Sequence, residues 1–301
     1  MWFFGKPISK KKVSHFEDLK EKWSQKHRVL QKQLWDKHGS VLKEFAEKTR
    51  HATLGSLAGI VLLTSPGISA ASSIPQIPKD SQYADLGQTS TFLLNLNANV
   101  PQDVRPLTPE EEQKIGDVLS QSFGMKVSSE LDGIKLNRSY GYIGQEQHLM
   151  RYPGDTMDTH LASQADVESY YKYGMAPGRG AWGYFANSST SMTNQDINRE
   201  KYYIAVQTFL APGYLENTRQ MSQFFKYRKM LVVNPQNGRA VVADIADSGP
   251  SEWTGKSLGG SPEVMNYLQR VDGAQKGAVL YFFIDDPNDT IPLGPVELKS
   301  S

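Results

Sequence analysis

A chain of 301 residues, 39% hydrophobic and 22% charged, is long enough to bury one or two cores, and its net charge of +1 excludes a nucleic-acid binder over the whole molecule. With no cysteine, disulfides, thiolate metal sites and cysteine nucleophiles are excluded together. The near-neutral total conceals an asymmetry: residues 1–51 hold 13 Lys and Arg against 6 Asp and Glu, a net +7, which leaves −6 for the remainder.

In that basic flank, Phe16, Leu19, Trp23, Leu30, Leu34, Val41, Leu42 and Phe45 recur at roughly helical spacing among lysines. Such a segment suits an anionic lipid surface; a solvated helix or a disordered tail is the plain alternative. Residues 52–71 then contain no charge, and Leu57 to Leu63 are continuously apolar. About 20 residues span a bilayer as a helix, so the stretch reads as a transmembrane signal-anchor, or as a signal peptide cleaved near Ala70. The positive-inside rule keeps the basic flank cytoplasmic. The expectation is a single-pass protein of the cell membrane with its C-terminal part extracytoplasmic, or a secreted protein if cleavage occurs.

Residues 72–107, rich in Ser, Pro, Gln and Asn around a short apolar Phe92-Leu93-Leu94, are expected to be a flexible tether. Residues 108–175 read as a small α+β region without an assigned role. Its helix begins at Thr108-Pro109-Glu110-Glu111, with an N-cap hydroxyl, proline at the first helical position and Glu111 closing a capping box. Ile115, Val118, Leu119 and Phe123 give it one apolar face before Gly124 stops it. Glycine-punctuated short strands and turns follow from Glu130 to Tyr152, then a helix near 162–173 and a loop over 174–194.

From Tyr202 onward, strand signals alternate with turn chemistry: 202–206, 230–233, 240–243 and 279–284. The middle two are joined by Asn234-Pro235-Gln236-Asn237-Gly238-Arg239, where Asn-Gly supplies the positive φ of a tight turn. A helix capped by Ser261 with Pro262 at its first position lies between the last two strands.

The run from Lys229 to Val242, followed by Asp244-Ile245-Ala246-Asp247-Ser248-Gly249-Pro250, resembles the double-psi β-barrel of rare lipoprotein A-like proteins and expansins. Gly180-Ala181-Trp182-Gly183-Tyr184 resembles that family's opening strand, so the resemblance covers about residues 178–287. It implies a mainly β protein with minor α content, its double-psi barrel over 176–290 and a tail over 291–301. It also implies binding of peptidoglycan or a related cell-wall glycan and, in lytic members, a transglycosylase (lyase) reaction. Asp247 matches the acid that protonates the glycosidic oxygen, a step one carboxyl can perform if partial burial raises its pKa. Asp244 and Asp247 fall on opposite faces of a regular strand, so they pair only through a bulge. The family's histidine before the Val-x-Val-x-Asn strand is missing, and Ser248 stands where arginine is usual. A non-catalytic, expansin-like envelope module is therefore the alternative, with Asp247 a turn carboxylate.

Sugar faces stack on aromatic rings, which makes Trp253, Trp182 and Tyr184 substrate-binding candidates, with Asp244 for hydroxyls. Beyond the basic flank only two histidines occur, His148 and His160. His148, Asp155 and His160 could ligate zinc as in wall peptidases, although no His-x-His partner is present. The other reading is of loop histidines hydrogen-bonded near Tyr152 or Glu146, and His160 could instead stand beside Asp247. The barrel reading calls for no cofactor and no nucleic acid; protein partners are not indicated.

Overall fold

The continuous apolar runs seen in sequence belong to strands buried on both faces. In β6 (Lys229–Val233), Met230 and Val232 join one core while Leu231 and Val233 join another; in β9 (Lys276–Ile284), Val279, Tyr281 and Phe283 alternate in the same way with Leu280, Phe282 and Ile284. The first set fills the inside of a barrel. The second lies outside it, under two helices: α1 (Ser81–Asn97), through Phe92 and Leu96, and α2 (Pro109–Phe123), through Ile115, Leu119 and Phe123. The rings of Phe92 and Phe123 meet edge to face at 5.4 Å. This computed structural model describes residues 81–270 and 276–299, so the basic flank 1–51 and the apolar segment 52–71 lie outside the described residues. Among the described residues no helix is long and apolar enough to cross a membrane.

Six strands close the barrel. β4 (Tyr140–Gln145) pairs antiparallel with β9, β9 with β6, and β6 with β7 (Ala240–Ser248). β7 then runs parallel to β5 (Tyr203–Val206), β5 antiparallel to β8 (Leu258–Gly260), and β8 parallel to β4. Exchanging β4 with β7, β5 with β8 and β6 with β9 leaves the set of pairings and their senses unchanged, so the barrel consists of two interleaved three-strand halves. Short strands β1 (Val127–Ser128) and β10 (Gly294–Val296) extend the sheet on β9 and β7, and β2 (Glu130–Leu131) with β3 (Ile134–Lys135) forms a separate hairpin. The protein is thus mainly β, as expected.

Several boundaries move. The barrel begins at β4, inside the stretch expected to precede it, while Gly180–Tyr184 forms a turn closed by Gly183 N–H to Gly180 O at 2.9 Å and not a barrel strand. Residues 81–97, expected as tether, are helical because Phe92 and Leu96 have a core to enter. The capped helix at Thr108 has its full capping box and a left-handed Gly124. Additional helices are α3 (Met157–His160), α4 (Gln164–Tyr170), α5 (Asn194–Lys201), α6 (Thr218–Phe225) and α7 (Pro262–Tyr267).

The Asn-x-x-Asn-Gly-Arg hairpin has a structural purpose. Asn234 Nδ2 and Asn237 Nδ2 donate to Leu268 O at 2.8 and 3.2 Å, and Arg239 Nη1 donates to Tyr267 O at 3.1 Å. Those carbonyls end α7, where the helix has no partners of its own for them. Gly238, at φ +77°, makes the turn under the Phe92 ring.

Candidate functional site at the barrel mouth

Asp247 sits near the C-terminal end of β7, just past an irregularity in the pairing: Ile204 faces Ile245 and Ala205 faces Asp247, which skips Ala246. Its Oδ1 accepts N–H bonds from Ala181 at 2.9 Å and from Ser248 at 2.8 Å, while Oδ2 has no hydrogen bond among the described residues. Burial raises its pKa and these two N–H bonds oppose the rise. A carboxyl held by one oxygen, half-buried and inclined to keep its proton, has the form of a general acid. The Ala181 contact depends on Gly180, whose backbone lies so close to β7 that a Cβ would meet Ala246 O at 2.6 Å.

A second carboxyl lies on the same face, two strands away. Glu146 follows β4, and its side chain covers Gly259, where an added Cβ would come within 2.2 Å of Oε1. Gly259 pairs with Ala205, which itself pairs with Asp247. Burial raises the Glu146 pKa; Lys256, whose Nζ is 3.5 Å from Oε1, lowers it, and the charge of Asp247 raises it further. Lys256 ends the loop that carries Trp253, and buried Gln207 pins that loop by donating to Pro250 O at 3.0 Å and Lys256 O at 3.2 Å. Trp253 is 88% exposed, a bare indole on the loop leaving Asp247. Trp182 is half-buried, and its Nε1 donates to Ser222 O and Oγ at 3.1 and 3.0 Å. Arg179 lies 5.6 Å from the centre of the Tyr184 ring.

Asp244 is elsewhere. It is buried on the outer side of β7, neither oxygen has a hydrogen bond among the described residues, and Arg199 Nε stands 3.6 Å away. With Arg199, Tyr227, Lys229 and Asp289 it borders a pocket of about 260 Å³. Burial raises its pKa well above the carboxylate range, with Arg199 opposing. An acid whose folded pKa is raised stabilises below its unfolded pKa and loses that contribution as pH rises from about 4 toward the folded value, by up to about 1.4 kcal/mol per pH unit. Asp244→Asn should therefore gain in thermal midpoint over wild type as pH is raised from 5 to 8. A difference between the two proteins that stays constant across that range would refute the assignment.

The histidines occupy a third place. His160 Nδ1 is 2.9 Å from Asp155 Oδ2 and its Nε2 is 2.9 Å from Glu200 Oε2, so neither nitrogen is free to reach Asp247. Against the lowering effect of burial, these carboxylates raise the His160 pKa to about 9. Glu200, on α5, also faces His148 Nδ1 at 3.4 Å and accepts from Leu149 N at 2.9 Å. Burial raises its pKa, but His148 and His160 bring it down to about 2. Asp155 approaches the far nitrogen of His160 and is held by Arg151, so it is no co-ligand of His148; Glu200 takes that place.

Sequence reasoning missed Glu146 and Glu200. Glu200 had a signal, because Thr193-x-x-Asp196 is a capping box that starts α5, and the structure contains it. Glu146 had none without β4 in the barrel. The sequence matches no protein-family model and no curated protein.

Proposed function

We propose that the protein binds a cell-wall glycan, peptidoglycan or a related polymer, at the barrel mouth and cleaves it as a lytic transglycosylase with Asp247 as general acid. The observation that carries this is the Asp247 carboxyl itself: one oxygen anchored by two backbone N–H groups, the other unbonded, and burial favouring its proton. The double-psi assignment is supported by the two interleaved halves and by the hairpin that closes α7. In the reaction, Asp247 gives its proton to the glycosidic oxygen as that C–O bond breaks. A hydroxyl of the same sugar bonds to the anomeric carbon and loses its proton to Glu146, the carboxylate across the mouth. Trp253 offers a ring face to a pyranose.

On this reading residues 52–71 hold the barrel outside a cytoplasmic membrane, where such a polymer is found. The test is to incubate the full-length protein with purified peptidoglycan and look for anhydro-muropeptides by mass spectrometry. Their appearance is the expected result. Co-sedimentation with insoluble wall material without any product would leave only the non-catalytic module, which Trp253 alone supports.

A further inference from the structure

The buried cluster behind the mouth has a defect that hydrogen bonding does not repair. His148 is fully buried, and among the described residues its Nε2 has no hydrogen bond, its Nδ1 has only the long 3.4 Å contact with Glu200 Oε1, and Glu263 Oε2 nearby has no hydrogen bond. A buried imidazole nitrogen left without a partner is costly, because the desolvation of that group goes uncompensated. Ligand atoms of His148, His160 and Glu200 all lie within 4.8 Å of one another. The Glu200 carboxylate turns one oxygen to each ring, Oε2 to His160 Nε2 at 2.9 Å and Oε1 to His148 Nδ1 at 3.4 Å, so both imidazoles and the carboxylate converge on one buried point.

We propose that His148, His160 and Glu200 bind a divalent transition-metal ion of the zinc type. The surroundings are those of a metal-binding histidine: Asp155 accepts from His160 Nδ1 and fixes the tautomer that turns Nε2 to the ion, and Arg151 in turn holds Asp155. The ion replaces the proton between His160 Nε2 and Glu200, and that proton is released to solvent. Imidazole and carboxylate without thiolate suit zinc, and their complete burial makes the ion structural, with Glu263 or one water in the fourth position. His148 N–H donates to Gly174 O at 3.0 Å and its carbonyl accepts from Ala176 N at 2.8 Å, so the ion would fasten this paired stretch to α5 and the barrel. Asp247 takes no part, and the site stands or falls independently of the glycan reaction.

The experiment is elemental analysis of the full-length protein purified without chelator or histidine tag, followed by cobalt(II) replacement and visible spectroscopy. About one equivalent of zinc per chain is expected, with more than about a tenfold loss in both His148→Gln and Glu200→Gln. Cobalt should give the intense visible bands of a tetrahedral site, a reading on the wild-type protein that holds even if the variants fail to fold. Protein with no bound metal and only the pale spectrum of octahedral aqueous cobalt would overturn the proposal. So would metal content undiminished in both folded variants.

Discussion

Asp247→Asn should abolish anhydro-sugar formation, lowering turnover by about 10³-fold within the range for a general acid, while leaving glycan binding and the fold intact. Asparagine has nearly the shape of aspartate, and its carbonyl oxygen can still accept the N–H bonds from Ala181 and Ser248. What it cannot do is give up a proton to a leaving oxygen. The pH profile supplies a second signature. Burial raises the Asp247 pKa, so the protonated, active form persists above the ordinary carboxylate range, and activity falls on the alkaline side as this group ionises. The variant's residual rate should lack that limb. Glu146→Gln should cost less, about a hundredfold, because the proton it accepts can also pass to water. Turnover by Asp247→Asn within a few-fold of wild type would remove Asp247 from the mechanism and leave the mouth as a binding surface.

The fold was legible where local chemistry and the final structure agree. The strands 230–233 and 279–284 are apolar at every position because both of their faces are buried, and no tertiary information is needed to see that. The Thr108 and Ser261 caps were equally plain, since capping is a matter of one hydroxyl and the next three residues. The opening strand was misplaced for a physical reason. Tyr140-Gly141-Tyr142-Ile143-Gly144 has glycines where neighbouring strands approach, and at Gly141 an added Cβ would meet Ser257 Oγ at 2.4 Å. Glycines that serve close packing broke this stretch into short strands and turns in the sequence and hid its place in the barrel, whereas the Trp and Tyr of 182–184 look like strand.

The site was legible in part for a related reason. Asp247 lies in the same segment as the hairpin, so its position followed from the motif. Its neighbour Glu146 is 101 positions earlier in the chain, brought close by the parallel pairing of β4 with β8. No spacing rule reaches across a barrel closure. His148, Asp155 and His160 were grouped because they are adjacent in sequence, but ring geometry separates them: Asp155 meets one nitrogen of His160 and Glu200 the other. Adjacency in sequence located the cluster without giving its partition into groups that ligate and groups that orient.

That partition makes Arg151 a residue on which stability depends. Arg151 is 5% exposed, and it contacts Asp155 through its backbone N, Nε and Nη2 at 3.1, 2.9 and 3.2 Å, with Nη2 also donating to Thr159 O at 3.1 Å. Arg151→Met keeps the apolar stem of the side chain but removes the charge, leaving the buried Asp155 carboxylate with His160 Nδ1 and Thr159 Oγ1 as its side-chain partners among the described residues. Breaking one side of a buried pair typically costs about 3–5 kcal/mol, because the remaining charge stays desolvated. For a domain of this size that is a fall in thermal midpoint of roughly 6–20 °C. The control is Lys126→Met, which removes the cation of a pair with Asp285 whose lysine is 78% exposed; solvent screens such a pair, and the midpoint should not move measurably. Calorimetry of both variants at neutral pH decides the matter. If Arg151→Met melts with wild type, the carboxylate is either neutral or reached by water, and the cluster does not hold residues 147–176 to the barrel by charge. If it melts far below wild type while Lys126→Met does not, the buried charge network behind the mouth, and not surface pairing, is what holds residues 147–176 to the barrel.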